Sequence, residues 1–354
     1  MLKIHICVKN TQINLQDKNI IPTFACVNIT QIKLIDSINI KKLKIMGTGH
    51  YSSRTYNAVT SARSYATKSA NQIFSDSLKD SMNPALLKNG IRECRDSTDH
   101  PYSVPIMVFV DVTGSMGGIP YHLIQNKFPK MMDTLVGYGI SDAQICFGAI
   151  GDHISDYVPL QIGQFEQETV KLVDGLADIY IEGGGGGQTM ESYPLAWYIA
   201  GFHTSTDSFE KRGLKGFLFT IGDESFHPNY NGKFIQQMMG MKETPQTYTA
   251  QQLYASASEK YHVFHIHVND GSYTSNVVGK DWKKLLGERF LILDNSNDVA
   301  ELIGTTVSVI NGADMNHILK SFDRSTASNI SKTLAKIDAI MPCKYTGGAS
   351  VITI

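Results

Sequence analysis

The sequence predicts an α/β fold: a doubly wound, mostly parallel sheet flanked by helices, with helical extensions at both ends. Three observations predict it. Apolar runs of strand type recur, as IMVFV (106–110), QICFGAI (144–150), GFLFTI (216–221) and HVFHIHV (262–268). The first, IMVFV, is continuous rather than alternating, the pattern of a strand buried on both faces. Segments of helical spacing separate the runs, and that alternation argues for a parallel sheet covered on both sides. With 354 residues, 42% of them hydrophobic and 18% charged, the chain can bury a sizeable core.

The elements follow in order. Residues 1–45 alternate loosely (QIKLIDSINIKKLKI) and read as a β-like extension. Met46 then opens MGTGHYSSRTYNA, so two readings stand: a small β appendage, or a native product that begins at Met46. Residues 46–102 are polar and serine-rich, and read as a loosely packed helical lead-in with a helix over 61–78. PYSVP (101–105) is a linker signal, and the main domain spans 103–312. After strand 106–110 a helix is expected over 119–136, with Ile124, Phe128, Met131, Met132 and Leu135 on one face. Pro120 falls in its first turn, where proline is tolerated, and Pro129 is expected to kink it.

Strand 144–150, a short edge strand at 158–162 and a helix over 165–179 come next. A glycine run at 183–187 leads into a helix over 190–202. Then come strand 216–221, helix 249–261, strands 262–268 and 289–294, and helix 298–310. The tail 313–354 is helical over 313–341, where Ile318, Leu319, Phe322, Ile330, Leu334 and Ile337 give the spacing.

Several function classes are disfavoured by composition. Lys+Arg total 32 and Asp+Glu 33, so there is no basic footprint for nucleic acid and no long-range pull toward acidic membranes. Five widely spaced cysteines without a CxxC suggest neither a disulfide framework nor a zinc site, and fit reduced thiols in the cytoplasm. No apolar run approaches the ~18 residues of a membrane span, and the first residues lack the apolar centre of a secretory signal.

One constellation carries chemistry. Strand 106–110 ends in Asp111-Val112-Thr113-Gly114-Ser115. In a doubly wound sheet, ligands bind outside the carboxyl ends of the strands. There Asp111 supplies charge, and Thr113 and Ser115 supply short oxygen ligands. Such hard oxygens suit Mg²⁺, Mn²⁺ or Ca²⁺. Strand 216–221 ends in Gly222-Asp223-Glu224-Ser225. If the two strands are neighbours where strand order reverses, Asp111 and Asp223 flank one crevice, and a divalent cation would relieve their repulsion. Between them GGGGGQTMES (183–192) lets the backbone approach closely, and Thr189 is a third candidate hydroxyl.

These residues together resemble the metal-ion-dependent adhesion site of von Willebrand factor type A domains, over about residues 103–312. Thr113 stands where the family usually has serine, which keeps the hydroxyl. The DVTGSM form looks like the intracellular bacterial and viral branch. The resemblance implies five site residues, Asp111, Thr113, Ser115, Thr189 and Asp223, the last acting mainly through water. Gln188, Glu191 and Ser192 lie close to Thr189 in the same loop. It also implies Mg²⁺ (or Mn²⁺ or Ca²⁺) with one coordination position left for an Asp or Glu of a partner protein, and binding rather than turnover. Intracellular members work beside AAA+ ATPases or in multi-protein assemblies, so a structural role in a larger assembly stays open.

Other readings compete. Asp111 or Ser115 could simply cap the next helix, and Thr189 could cap helix 190–202. Asp-x-Thr-Gly-Ser also echoes haloacid-dehalogenase-like phosphotransferases, in which the first Asp is a nucleophile and a later Gly-Asp holds Mg²⁺. Against that, Val112 replaces the motif's lysine, Thr113 its second Asp, and His227 stands where another carboxylate would help. Asp152, following strand 144–150, reads as a turn residue or as support for the site. His265 and His267 share a strand face and read as core histidines, and Trp197 and Trp282 as core anchors. No GxxxxGK[ST] and no GxSxG is present, so neither a P-loop nor a nucleophile elbow is indicated.

Overall fold

The computed structural model describes residues 49–183 and 189–337. The expected β-like extension 1–45, the alternative start at Met46, and most of the glycine run, with Gln188, lie outside the described residues, as does the chain beyond residue 337.

The centre is a six-stranded sheet. Its strands in chain order are β1 (Val104–Asp111), β2 (Ala143–Ile150), β3 (Leu160–Glu166), β4 (Gly216–Gly222), β5 (Tyr261–Val268) and β6 (Phe290–Leu293). Across the sheet the order is β6-β5-β4-β1-β2-β3, parallel except for the antiparallel edge strand β3. The doubly wound α/β fold is therefore present.

The continuous apolar run of β1 has the predicted cause. Side chains alternate between faces along a strand. Ile106, Val108 and Val110 enter one core, while Met107 and Phe109 enter the other. On the first face lie Phe128, Met131, Met132 and Leu135 of α2, together with α3 (Thr169–Ala177) and α7 (Val299–Ile310). Here α1 denotes Ser53–Ala62 and α2 Phe128–Gly137. On the second face lie α4 (Pro194–Phe202), α5 (Ala250–Lys260) and α6 (Ser275–Leu286), with Trp197 and Trp282 fully buried. Thr249 and Gln252 form a capping box that starts α5 at the expected residue.

Four local expectations need correction. Helix 61–78 does not form. α1 starts earlier, capped by Ser52, and ends before Ser64, whose φ of 56° breaks the helix. Second, residues 165 and 166 belong to β3, since pairing of Phe165 with Cys146 and Glu166 with Ile145 outweighs their helical spacing; α3 begins only at Thr169. Third, the helix over 119–136 is interrupted rather than simply kinked. Residues Leu123–Lys127 form a π turn ahead of Pro129, which lacks an N–H and crowds the carbonyl one turn back. Fourth, helix 190–202 begins only at Pro194; Met190 and Glu191 are instead a short strand paired with Ser225 and Phe226.

The lead-in and the tail pack on the same core as the sheet. Tyr56 is buried and donates its hydroxyl to the Ile124 carbonyl. Arg92 is buried too, and donates to the carbonyls of Ser81 (2.8 Å) and Ile162 (2.9 Å). In the tail, α8 (Arg324–Thr333) buries Ile330, and its Thr326 and Asn329 donate to Asp298 at 2.9 and 2.8 Å. No helix among the described residues is long and apolar enough to cross a membrane.

Candidate metal centre

β1 and β4 are neighbours, with Val110 opposite Ile221. From β1 the chain moves to β2 on one side and later to β4 on the other, so strand order reverses between them. This is where an α/β sheet opens a crevice at its carboxyl edge. Asp111 and Asp223 emerge there side by side, 0% and 2% exposed.

Asp111 is held on both oxygens. The Thr113 amide (2.9 Å) and hydroxyl (2.6 Å) donate to Oδ1, and the Tyr193 hydroxyl donates to Oδ2 at 2.7 Å. The Thr113 hydroxyl also lies 3.2 Å from Oε1 of Glu191. A hydroxyl has one proton and here faces two carboxyl groups, so it can donate to only one of them. Oε2 of Glu191 is buried and has no hydrogen-bond partner among the described residues; the same holds for Oε2 of Glu224.

Glu191 reaches this point because of the corrected helix start. Pro194 fits the first turn of α4 and leaves 190–191 extended. In that two-residue strand Met190 faces out and Glu191 is 4% exposed. Tyr193 reaches Asp111 because residue 222 is glycine: a Cβ there would collide with the Tyr193 hydroxyl. Asp223 is approached just as closely, by Gly271, and accepts from the amides of Ser272 and Tyr273, the latter at 3.2 Å.

The electrostatics follow from burial. Burial pushes Asp111 up to about 7; hydrogen bonds from Thr113 and Tyr193 oppose this and the Asp223 charge adds to it. Glu191 is pushed up to about 10, by burial first and then by Asp111 and Glu224. Glu224 rises to about 8, by burial and then by Asp111 and Asp223. Among the described residues no Lys or Arg pairs with Asp111, Glu191 or Glu224. An all-oxygen donor set, carboxyls whose ionised forms burial disfavours, and an orphaned carboxyl oxygen together fit a hard divalent cation, which would favour the ionised forms.

Of the five residues read from sequence, Asp111, Thr113 and Asp223 come together at this edge. Ser115 sits in the 3₁₀ turn Gly114–Gly117 directly after Thr113, with its side chain outside the described set. Thr189 is exposed, and its carbonyl accepts from the Ser225 amide at 3.0 Å. Sequence reasoning named Glu191 only as a neighbour of Thr189 and Gly222 only as the residue before Asp223, gave neither its role here, and passed over Tyr193 and Gly271. The only signal for Glu191 was its place beside Thr189; nothing local marked Tyr193 or Gly271.

Beside the cluster lies a second group. Asp152 accepts from the Ile154 amide (3.1 Å) and the Ser155 hydroxyl (2.8 Å), as a turn residue does, and also pairs with His227 Nε2 at 2.7 Å. By contrast, His265 is a core residue. It is fully buried, stacks 3.7 Å from the Trp282 ring, and bonds Thr220 through Nδ1 at 2.9 Å.

No family model and no curated protein matches the chain. Among solved structures, it is similar to the SpaC pilus adhesin of Lactobacillus rhamnosus GG in its open conformation (9% identity, TM-score 0.39, covering 62% of this chain and 31% of that one). It is also similar to proximal thread matrix protein 1 of the mussel byssus (11% identity, TM-score 0.35, covering 60% of this chain and 47% of that one). The chain thus spans less than half the length of either protein. Likeness at this level carries no argument about the site.

Proposed function

We propose that the chain is a divalent-cation-dependent protein-binding module. The single observation behind the proposal is the convergence of Asp111, Glu191, Asp223 and Glu224 from three separate stretches: the first three are buried and Glu224 half-buried, and among the described residues no Lys or Arg pairs with Asp111, Glu191 or Glu224. In this reading Asp111, Thr113, Ser115 and Glu191 hold the ion, with Glu191 taking the place that sequence gave to Thr189. Asp223, engaged by two backbone amides, adds charge from farther out. Mg²⁺ is the first choice and Mn²⁺ or Ca²⁺ share its chemistry. When bound, the ion would act as a Lewis acid toward an Asp or Glu of a partner protein.

The chain's own residues do the rest. Tyr193 and Thr113 fix the orientation of Asp111, and burial keeps competing water from most of the ligand set. Asp111 and Glu191 already cancel a double charge, so a guest carboxylate gains less than it would at a two-carboxylate site. Contacts around the ion then matter more. Ile154 and Tyr157, 60% and 93% exposed on the loop after Asp152, with Met190 nearby in sequence to Glu191, offer apolar contact. A cytoplasmic setting, with an AAA+ ATPase or a larger assembly as partner, belongs to the same proposal; the unpaired buried thiols of Cys94 and Cys146 agree with it.

The test is calorimetric Mg²⁺ titration, followed by capture of the chain on an array of peptides that differ only by Asp or Glu against Asn or Gln. Expected are Mg²⁺ binding that Asp111→Ala abolishes while the fold persists, and capture that needs both the ion and the peptide carboxylate. Capture at full strength in EDTA overturns the proposal. A beryllium fluoride adduct on Asp111 would instead support the phosphotransferase reading.

A further inference from the structure

We infer that Asp152, His153 and His227 form a second metal site, for a borderline transition ion such as Zn²⁺ and distinct from the oxygen cluster. Their ligand atoms all lie within 4.8 Å of one another. Asp152 Oδ1 is 2.7 Å from His227 Nε2 and 3.7 Å from His153 Nδ1. A tetrahedral ion with bonds of about 2.0–2.1 Å sets neighbouring ligand atoms roughly 3.3 Å apart, so the two observed separations bracket the required one. The two imidazole nitrogens lie within 4.8 Å of each other, so they must close by at most roughly 1.5 Å to complete the geometry.

The donor types select the ion. Two imidazoles and one carboxylate favour Zn²⁺, Co²⁺ or Ni²⁺ over Mg²⁺ or Ca²⁺. Three protein ligands leave a fourth position for water or a guest. His153, with a side chain 14% exposed, marks the solvent side, while Asp152 and His227 are buried at 3% and 7%. The ligands are also well braced. The Ser192 hydroxyl accepts from the His153 amide (2.9 Å); its 2.8 Å contact with Nδ1 is one that an ion bound at Nδ1 would displace. The ring packs against His227, Tyr230 and Phe234 at 4.6, 5.1 and 4.9 Å. Asp152 is fixed by Ile154 and Ser155. Such outer contacts are what hold metal ligands in place. No step of the proposed binding function uses this triad, so the two sites stand or fall separately.

Co²⁺ titration of the full chain under anaerobic conditions, with saturating Mg²⁺ present, tests the site. One equivalent is expected to give the strong visible bands of a four-coordinate ion, and Zn²⁺ to bleach them. His153→Ala and His227→Gln are each expected to weaken the bands' affinity at least about 100-fold, while Asp111→Asn leaves them in place. Melting curves establish that the variants fold; if His227→Gln does not, the more exposed His153→Ala decides. Only weak six-coordinate absorption in the wild type, or bands unchanged in folded His153→Ala, overturns the inference.

Discussion

The two ends of strands β1 and β4 treat carboxylates in opposite ways. At the amino end, Asp96 accepts from Arg212 (2.6 Å) and from the Ser103 amide and hydroxyl (3.1 and 2.7 Å). Asp207 accepts from Arg95 (3.0 Å), Lys211 (2.7 Å) and the Asp96 amide (2.9 Å). The Arg212 guanidinium holds Asp96 well below the usual carboxylate range. At the carboxyl end Asp111, Glu191 and Glu224 have no such cation among the described residues, and all three are pushed up. Both ends are rich in buried and half-buried acid, but among the described residues only one supplies counter-charge. Buried acid with internal counter-charge is architecture; buried acid without it calls for a charge from outside.

The largest expected effect contrasts the two ends directly. Asp111→Asn should weaken Mg²⁺ binding at least about 100-fold, yet in EDTA raise unfolding stability by about 1–2 kcal/mol, because a buried unpaired charge is removed. Asp96→Asn should leave Mg²⁺ binding alone and lower stability by about 2 kcal/mol, from lost charge-assisted bonds. Denaturant melts with and without Mg²⁺ read both. If the two variants shift stability in the same direction, the contrast is wrong.

pH should separate the ends next. Carboxylates with raised folded-state values stabilise fully below their unfolded value of about 4, and that contribution is lost as pH climbs through about 7 for Asp111 and about 8 for Glu224. Asp96, held low, does the reverse: its contribution is present above about 4 and disappears as pH falls through its folded value. In EDTA the melting temperature should therefore peak on the mildly acidic side and decline toward pH 8. Saturating Mg²⁺ should flatten that decline and leave the acid limb unchanged.

A smaller effect sharpens the packing behind the site. Gly222→Ala pushes on Tyr193 and should cost about 1–3 kcal/mol, with weaker Mg²⁺ binding. Tyr193→Phe in the same chain should recover part of the stability, because the colliding hydroxyl is gone. Smallest of all, Thr189→Ala should change Mg²⁺ affinity within about twofold, as an exposed substitution does, while Glu191→Gln changes it far more. The opposite ranking would return the third ligand to Thr189.

Much of this was legible in the chain. The buried strands were visible because a run such as IMVFV has apolar residues on both faces, and Asp111 and Asp223 because each ends such a run. The first turn of α4 was not. Helical spacing extends through 190–202, but pairing of Met190 and Glu191 with Ser225 and Phe226 involves residues far along the chain. That pairing, with Pro194, turns Glu191 inward. The edge residues Phe165 and Glu166 were misplaced for the same reason, since pairing with β2 outweighed their local pattern.

The sequence alone determined the main buried strands and the alternation of strands with helices, the near-neutral charge and the oxygen-bearing motif after β1, because these depend on local spacing and composition. Only the tertiary structure decided that β4 lies beside β1, that Glu191 rather than Thr189 meets Thr113, and that Gly222 makes room for Tyr193. It also brought Asp152 and His153 to His227. Burial, close approach and counter-charge are properties of neighbours in space, and no single stretch of chain contains its own neighbours.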